Sequence, residues 1–235
     1  AGYNSYQYRC VVTSEGCNTT SDEVTLTVNP LSVAPTAITG TTTICLGSST
    51  VLTAEGGLAA YYPFSSNVND YSGNGLNLSG SGGSFLDGGI QLTNSSTYTS
   101  VSTAILNTDK YTISFDMKYT STPDGSWRKI FGYEPVGTDR SPGIWRYPND
   151  MRLHWRHDPG NTGLGETFNF TINQWYSVVG EKNGSTLSIY IDGVLVEQGT
   201  VANPKTSGAA PLWFGGANIT LKEFKIYNSD LRWYT

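Results

Sequence analysis

Charged residues are scarce in this chain. Lys and Arg number 14 and Asp and Glu number 19 among 235 residues, for a formal net charge of −5. Because affinity for a phosphate backbone depends on clustered cations, this balance argues against a nucleic-acid partner. The sequence also has no run of about 18 apolar residues, which excludes a membrane-spanning helix of the usual kind.

Cysteine and histidine are rare too, with three and two residues. Neither a CxxC pair nor a histidine cluster is present, so the pattern argues against a zinc site. Cys10 and Cys17 lie in one predicted hairpin, where a disulfide would stabilise the fold by about 2–3 kcal/mol and would indicate an oxidising compartment. Cys45 then either pairs with a cysteine of a missing segment or is a buried free thiol.

Glycine, aromatic residues and turn signals are abundant instead. Two alternating apolar runs in residues 186–200 are separated by Asp192-Gly193, which predicts a hairpin with a type I′ turn. An upstream strand that starts at Trp175 and ends at an Asn183-Gly184 turn extends this hairpin. Residues 175–201 are therefore predicted to form a three-stranded antiparallel meander.

Other segments repeat the same alternation, and together they predict an all-β sandwich. The further predicted strands are residues 6–12, 23–28, 90–92, 111–119, 127–133, 143–147, 151–156, 212–214 and 220–227. The last two are expected to form a closing strand pair. In the final strand Leu221, Phe224 and Ile226 break the alternation, which predicts a bulge. Residues 79–84 are all Ser or Gly and predict a flexible loop.

The first 57 residues are similar to parts of two repeats. Residues 6–13 (Tyr-Gln-Tyr-Arg-Cys-Val-Val-Thr) and 25–30 (Thr-Leu-Thr-Val-Asn-Pro) resemble the end of the Ig-like repeats in large surface proteins of Bacteroidota. Residues 35–40 and 44–54 resemble the start of the next repeat. We therefore expect 1–30 to be the C-terminal hairpin of one Ig-like repeat, and 31–57 to be a linker with the first strands of a second.

The rest of the chain, residues 58–235, is similar to a different family. Leu-Ala-Ala-Tyr-Tyr-Pro-Phe at 58–64, followed by Asp-Tyr-Ser-Gly-Asn-Gly at 70–75, resembles the opening of laminin-G-like, concanavalin A-like domains. This resemblance implies a jelly-roll sandwich, while residues 228–235 match no pattern of that family. It also implies calcium, with Asp70, Asp158 and Asn161 as loop ligands. The alternative is that these residues only form turns.

Catalysis is not expected, although the same superfamily includes glycoside hydrolases. A retaining enzyme of that kind would present carboxylates at alternate positions of one strand. Asp116 stands alone in its strand, and Asp22 and Glu23 are adjacent and so face opposite ways. The chain is therefore predicted not to be an enzyme.

Aromatic and basic residues crowd into residues 127–156, and this cluster is the candidate ligand site. Aromatic rings stack on sugar rings, and arginine binds hydroxyls or carboxylates in a fork geometry. In a strand, His154 and Arg156 share one face while Trp155 and His157 share the other. Alternatively, the tryptophans pack in the core and the arginines only solvate the outer face. The candidate ligand-binding residues are Arg140, Trp145, Tyr147, Arg152, His154, Arg156 and His157.

These observations predict a segment of a longer, multi-module protein, secreted or on a bacterial cell surface. The favoured function is a non-catalytic adhesin whose sandwich binds carbohydrate or another surface ligand, as in the long adhesins of gliding Bacteroidota that the chain resembles. Two alternatives stay open: a structural spacer of a surface filament or phage particle, and an accessory module of a secreted glycoside hydrolase.

Overall fold

The computed structural model describes residues 7–9, 11–14, 17–25, 37–39, 53–55, 57–133, 142–157, 163–201 and 209–228. Within these residues the regular secondary structure is entirely β-strand. No helix in the described part of the chain is long and apolar enough to cross a membrane. The chain divides into two compact units, Ala1–Ala34 and Pro35–Thr235.

The first unit contains two strand pairs. The outer pair joins β1 (Gln7–Tyr8) to β4 (Val24–Thr25), and the inner pair joins β2 (Val11–Ser14) to β3 (Cys17–Thr20). The predicted pairing of the first and last segments of this hairpin is thus confirmed over two residue pairs. Cys10 lies outside the described residues, so its bridge to Cys17 stays a prediction.

The second unit begins with a small antiparallel pair, β5 (Ala37–Thr39) with β6 (Thr53–Glu55). Cys45 lies outside the described residues. The assignment of 31–57 to a second Ig-like repeat stays a prediction.

Two antiparallel sheets form the body of this unit, and the predicted all-β sandwich is confirmed. The strands of the eight-stranded sheet are β7 (Leu58–Tyr62), β9 (Ser84–Leu86), β10 (Gly89–Leu92), β12 (Lys110–Tyr119), β17 (Tyr176–Asn183), β18 (Thr186–Ile191), β19 (Val194–Thr200) and β21 (Ile219–Tyr227). Their order is β19-β18-β17-β12-β21-β10-β9, and β7 also pairs with β21.

The strands of the seven-stranded sheet are β8 (Ser79–Ser81), β11 (Thr97–Thr103), β13 (Arg128–Tyr133), β14 (Gly143–Arg146), β15 (Leu153–Arg156), β16 (Gly163–Leu164) and β20 (Ala210–Gly215). Their order is β16-β15-β14-β13-β20-β11-β8. The predicted closing strands, β20 and β21, lie in different sheets and do not pair with each other. A turn with Gly216 at φ 63° separates them.

The predicted meander is confirmed as β17-β18-β19. Asp192 and Gly193 have φ of 50° and 79°, as a type I′ turn requires. The first turn is shifted by one residue from the prediction. Asn183 pairs with Thr186 at the strand ends, and the turn falls on Gly184 and Ser185.

Two other sequence predictions have opposite outcomes. The predicted bulge in β21 is confirmed: Glu223 has φ 52° and the register with β12 shifts beside it. The predicted flexible loop at 79–84 is wrong in part, because Ser79–Ser81 is an edge strand paired with β11. A Cβ on Gly80 would lie 2.0 Å from the Thr97 carbonyl oxygen, so glycine is what permits this close pairing.

Aromatic side chains from both sheets fill the core. Phe131 and Phe214 of the seven-stranded sheet each lie 4.8 Å, centroid to centroid, from Phe224 of the eight-stranded sheet. Trp155 reaches across the sandwich to Gly180, where an added Cβ would lie 2.1 Å from the indole. The faces turned away from this core are called the outer faces below.

Candidate functional site

Strands β14 and β15 divide the aromatic and basic segment between core and outer face. Ile144 pairs with Trp155, and both are fully buried in the core. Trp145 pairs with His154 on the outer face, where the two side chains are 6 % and 8 % exposed. Neither sequence alternative is therefore right for both tryptophans, because strand alternation sends Trp155 inward and Trp145 outward.

Three rings on the outer face form what we call the aromatic platform: Trp127, Tyr147 and His154. The Trp127 centroid lies 4.7 Å from that of Tyr147 and 4.5 Å from that of His154. Tyr147 and His154 are 5.3 Å apart in an edge-to-face contact. Trp127 is nevertheless 50 % exposed. The platform thus presents one indole to solvent while its neighbours restrict the motion of that ring.

Charged groups border the platform. Two of them, Arg152 and Arg156, each have a carboxylate partner. Arg156 forms an ion pair with Glu166. Arg152 pairs with Asp150 at 2.7 Å, and its guanidinium lies 4.6 Å from the Tyr147 centroid. Arg152 and Arg156 are therefore both compensated by carboxylates of the protein.

Glu166 is the exposed acceptor of the site, with 41 % of its side chain accessible. The hydrogen bond from Arg156, and next that from Tyr147, lowers the pKa of this carboxyl. Burial, and next the hydrogen bond to Glu166, raises the pKa of Tyr147 to about 12. At neutral pH the site therefore holds an ionised carboxylate beside a protonated phenol.

The loop that carries Trp127 is anchored through Asp124. This carboxylate accepts hydrogen bonds from Arg128 at 2.6 Å and from the Asn94 amide at 2.8 Å. The fully buried Arg146 adds a weaker contact of 3.4 Å. The hydrogen bond from Arg128 is the main reason that the pKa of Asp124 is lowered to about 2. Trp127 is thus placed by a loop that stays ion-paired well into the acidic range.

Glu197, in β19 of the opposite sheet, holds the segment that carries Glu166. Its Oε2 accepts hydrogen bonds from the backbone N–H groups of Gly165 at 2.9 Å and Glu166 at 3.0 Å, and from the Thr167 hydroxyl at 3.1 Å. Glu197 is a positioning residue, because it acts on the site through residues 165–167.

Glu197→Gln is expected to lower the free energy of unfolding by about 1–2 kcal/mol, because hydrogen bonds to a charged acceptor are worth more than those to a neutral amide. Chemical denaturation measures this change. Gln198→Ala, which removes one side-chain hydrogen bond to Ser188 on the neighbouring strand, is the matched control and should cost less. Equal stabilities of the two variants would contradict the assigned role.

The structure brings together five of the seven predicted ligand-binding residues: Trp145, Tyr147, Arg152, His154 and Arg156. His157 lies apart from them on the core side, 1 % exposed, with its Nδ1 3.3 Å from the Tyr111 hydroxyl. Arg140 lies outside the described residues.

No sequence pattern indicates Glu166 or Glu197 as a site residue. Glu166 has no motif around it, and Glu197 lies in a distant strand. Trp127 belonged to the crowded aromatic segment, but nothing in the sequence distinguished it from Trp145 as the exposed ring.

Asp70 does not fit a calcium site. Its Oδ1 accepts from the N–H groups of Tyr61 and Ser72, each at 2.9 Å. Its Oδ2 accepts from the Ser72 hydroxyl at 2.9 Å and the Leu76 N–H at 3.0 Å. Since these four donors occupy the carboxylate, the turn-forming alternative is favoured here.

The other predicted calcium ligands, Asp158 and Asn161, lie outside the described residues. Among the residues that are described, no group of three or more His, Cys, Asp or Glu side chains is arranged to hold a metal ion.

The fold is shared with proteins of different function. A sialidase of Trypanosoma rangeli, in complex with 2,3-difluorosialic acid as a covalent intermediate, has a TM-score of 0.60 and 14% identity over 75% of this chain and 31% of its own. The botulinum neurotoxin type G receptor-binding domain has a TM-score of 0.59 and 19% identity, over 74% of this chain and 48% of that domain. The botulinum neurotoxin serotype D binding domain has a TM-score of 0.61 and 15% identity, over 75% of this chain and 49% of that domain. This chain spans less than half of each structure, and at these identities the likeness shows the fold alone.

At the sequence level, no curated protein matches the chain. The family profile described as the concanavalin A-like lectin/glucanases superfamily, of laminin G type, matches residues 93–235. That match covers more than half of the chain and includes the aromatic platform, the loop of Asp124 and both strands of the meander hairpin. The chain therefore belongs to the laminin G-type family of the concanavalin A-like lectin/glucanase superfamily.

Proposed function

We propose that this chain is a non-catalytic, carbohydrate-binding segment of a cell-surface adhesin, and that sugar binds on the outer face of its seven-stranded sheet. The observation that carries the proposal is Trp127, which is 50 % exposed although its ring packs on Tyr147 and His154. A restrained, exposed indole offers an apolar surface to sugar C–H groups at little cost in side-chain entropy. The likeness to a domain named as receptor-binding supports a binding function.

The ion pairs favour a neutral sugar. Arg152 is paired with Asp150 and Arg156 with Glu166, so an acidic sugar would have to displace a carboxylate from one of them. The Glu166 carboxylate is partly exposed and only accepts hydrogen bonds, which suits it to sugar hydroxyl groups. In this arrangement Trp127 stacks on the ring, Glu166 accepts from hydroxyls, and the buried Trp145 supports the platform from below.

The carboxylates around the platform support binding over hydrolysis. Arginine hydrogen bonds lower the pKa of Asp124, Asp150 and Glu166. The general acid of a glycosidase needs a raised pKa, so that it is protonated when the leaving group departs. None of these three groups has that property.

A glycan array probed with the whole chain tests the proposal. The array is run with and without calcium, because Asp158 and Asn161 remain our proposed calcium ligands. Neutral oligosaccharides should bind. Glu166→Gln should weaken binding about tenfold, because the neutral amide is a poorer acceptor for hydroxyls. The lowered pKa keeps the Glu166 carboxylate ionised at every pH above the ordinary glutamate value near 4.5, so it can accept from sugar hydroxyls throughout that range. A folded chain that binds no glycan would favour the structural spacer.

A further inference from the structure

The outer face of the eight-stranded sheet carries a second group of aromatic and cationic side chains. We call Trp175, Lys118 and Lys222 the lysine–tryptophan cluster. The Lys222 Nζ lies 4.2 Å from the centroid of the Trp175 ring, and the Lys118 Nζ lies 5.2 Å from it. The indole is partly exposed. This cluster lies on the opposite sheet from the aromatic platform and shares no residue with it.

The bulge in β21 determines which side chains reach this face. Leu221 and Phe224 are fully buried on the core side. Glu223, between them, has φ 52°, a left-handed conformation that is unfavourable for a residue other than glycine. The extra residue lets Lys222, Glu223 and Lys225 all lie on the outer face, where strict alternation would turn one of them inward. Strain at such a position is a reason to look for a function.

The lysines of this face differ in their partners. Lys118 pairs with Asp87 at 2.5 Å, and Lys225 pairs with Glu223 at 2.9 Å. Lys222 has Asp116 as its cross-strand neighbour, but the ammonium group is placed on the Trp175 ring instead. Among the residues that the structure describes, Lys222 therefore has no carboxylate partner, on a chain whose net charge is −5.

We propose that the lysine–tryptophan cluster is a second binding site, for an acidic sugar. The anionic group of the sugar pairs with Lys222, and the apolar face of its ring contacts Trp175. One uncompensated cation suits a single anionic group, whereas nucleic acids and anionic membranes need several. The chain would then bind a neutral sugar on one outer face and an acidic sugar on the other.

Calorimetric titration of the whole chain with an oligogalacturonate tests this site, with the fully methyl-esterified oligomer as the uncharged probe. Lys222→Ala should weaken oligogalacturonate binding about tenfold or more, because a charge-assisted contact is lost. Lys110→Ala removes the same charge from an exposed position at the start of β12 and should leave binding unchanged. Asp116→Asn should strengthen binding, since it removes a repelling carboxylate. The methyl ester should not bind at this site.

A sulfated oligosaccharide in a parallel titration shows whether Lys222 prefers sulfate or carboxylate, and binding of either through Lys222 supports the proposal. Three results would overturn it: no binding of either acidic oligosaccharide, equal losses in Lys222→Ala and Lys110→Ala, or equally tight binding of oligoglutamate. Lys222→Gln replaces Lys222→Ala if the latter does not fold. Trp127→Ala should not change binding of the acidic probe, so the neutral-sugar and acidic-sugar proposals can fail separately.

Discussion

Trp127→Ala is expected to weaken binding of neutral oligosaccharides about 30-fold or more, because truncation of an aromatic hot-spot residue costs about 2 kcal/mol of binding free energy. The change in the free energy of unfolding should stay below about 1 kcal/mol, since half of this side chain is already in water. Loss of binding without loss of stability is the result that separates a site tryptophan from a core tryptophan.

Titration calorimetry with the best neutral ligand of the array, together with chemical denaturation, measures both quantities. Tyr71→Ala is the matched control, because Tyr71 is an exposed aromatic residue at 57 % that packs on Tyr61 of the eight-stranded sheet. It should bind like the wild type. If Trp127→Ala and Tyr71→Ala bound equally well, the sugar would not lie on the platform.

Trp155→Ala is expected to lower the free energy of unfolding by about 3–5 kcal/mol, which is typical of a large-to-small change in a core. Trp155 is fully buried, stacks on Phe115 at 6.4 Å, and donates its indole N–H to the Tyr111 hydroxyl at 3.4 Å. The loss is a large part of the roughly 5–15 kcal/mol that stabilise a typical domain. Chemical denaturation should show it as a lower midpoint.

Gly180 gives this prediction an internal check. A Cβ there would lie 2.1 Å from Trp155, so Gly180→Ala should destabilise the fold by about 1–3 kcal/mol through overpacking. Gly57→Ala is the control, because no described atom lies within 4 Å of the place that its Cβ would take. In the Trp155→Phe background the smaller ring leaves room, so Gly180→Ala should cost less there. Additive effects of the two substitutions would contradict this contact.

Local patterns were sufficient to predict the meander, the bulge and the division of β15 between two faces. Asp192-Gly193 specifies its turn because both residues tolerate positive φ. The apolar alternation of β21 is interrupted at Phe224. This interruption indicates a bulge, because only one face of the strand packs in the core. The loop prediction for residues 79–84 is wrong in part because an edge strand can form without apolar alternation. Gly80 lets the chain approach β11 closely enough to pair.

The candidate site could be predicted only in part. His154 and Arg156 share a face because neighbouring alternate residues of a strand always do. The exposure of Trp127 depends on a loop held by Arg146 and Asn94, and these contacts join residues far apart in the sequence. Glu197 is missed for a similar reason, since its partners lie about thirty positions away, outside its own sheet.

The sequence by itself therefore determined the all-β class, the meander and which side chains share a strand face, because dihedral preferences and alternation act over a few residues. Only the tertiary structure showed that Trp127 is the exposed ring, that the arginines beside it are already paired, and that Lys222 has no carboxylate partner in the described part of the chain. Those properties depend on contacts between distant strands and on exclusion of water from one side of each sheet, which no local pattern encodes.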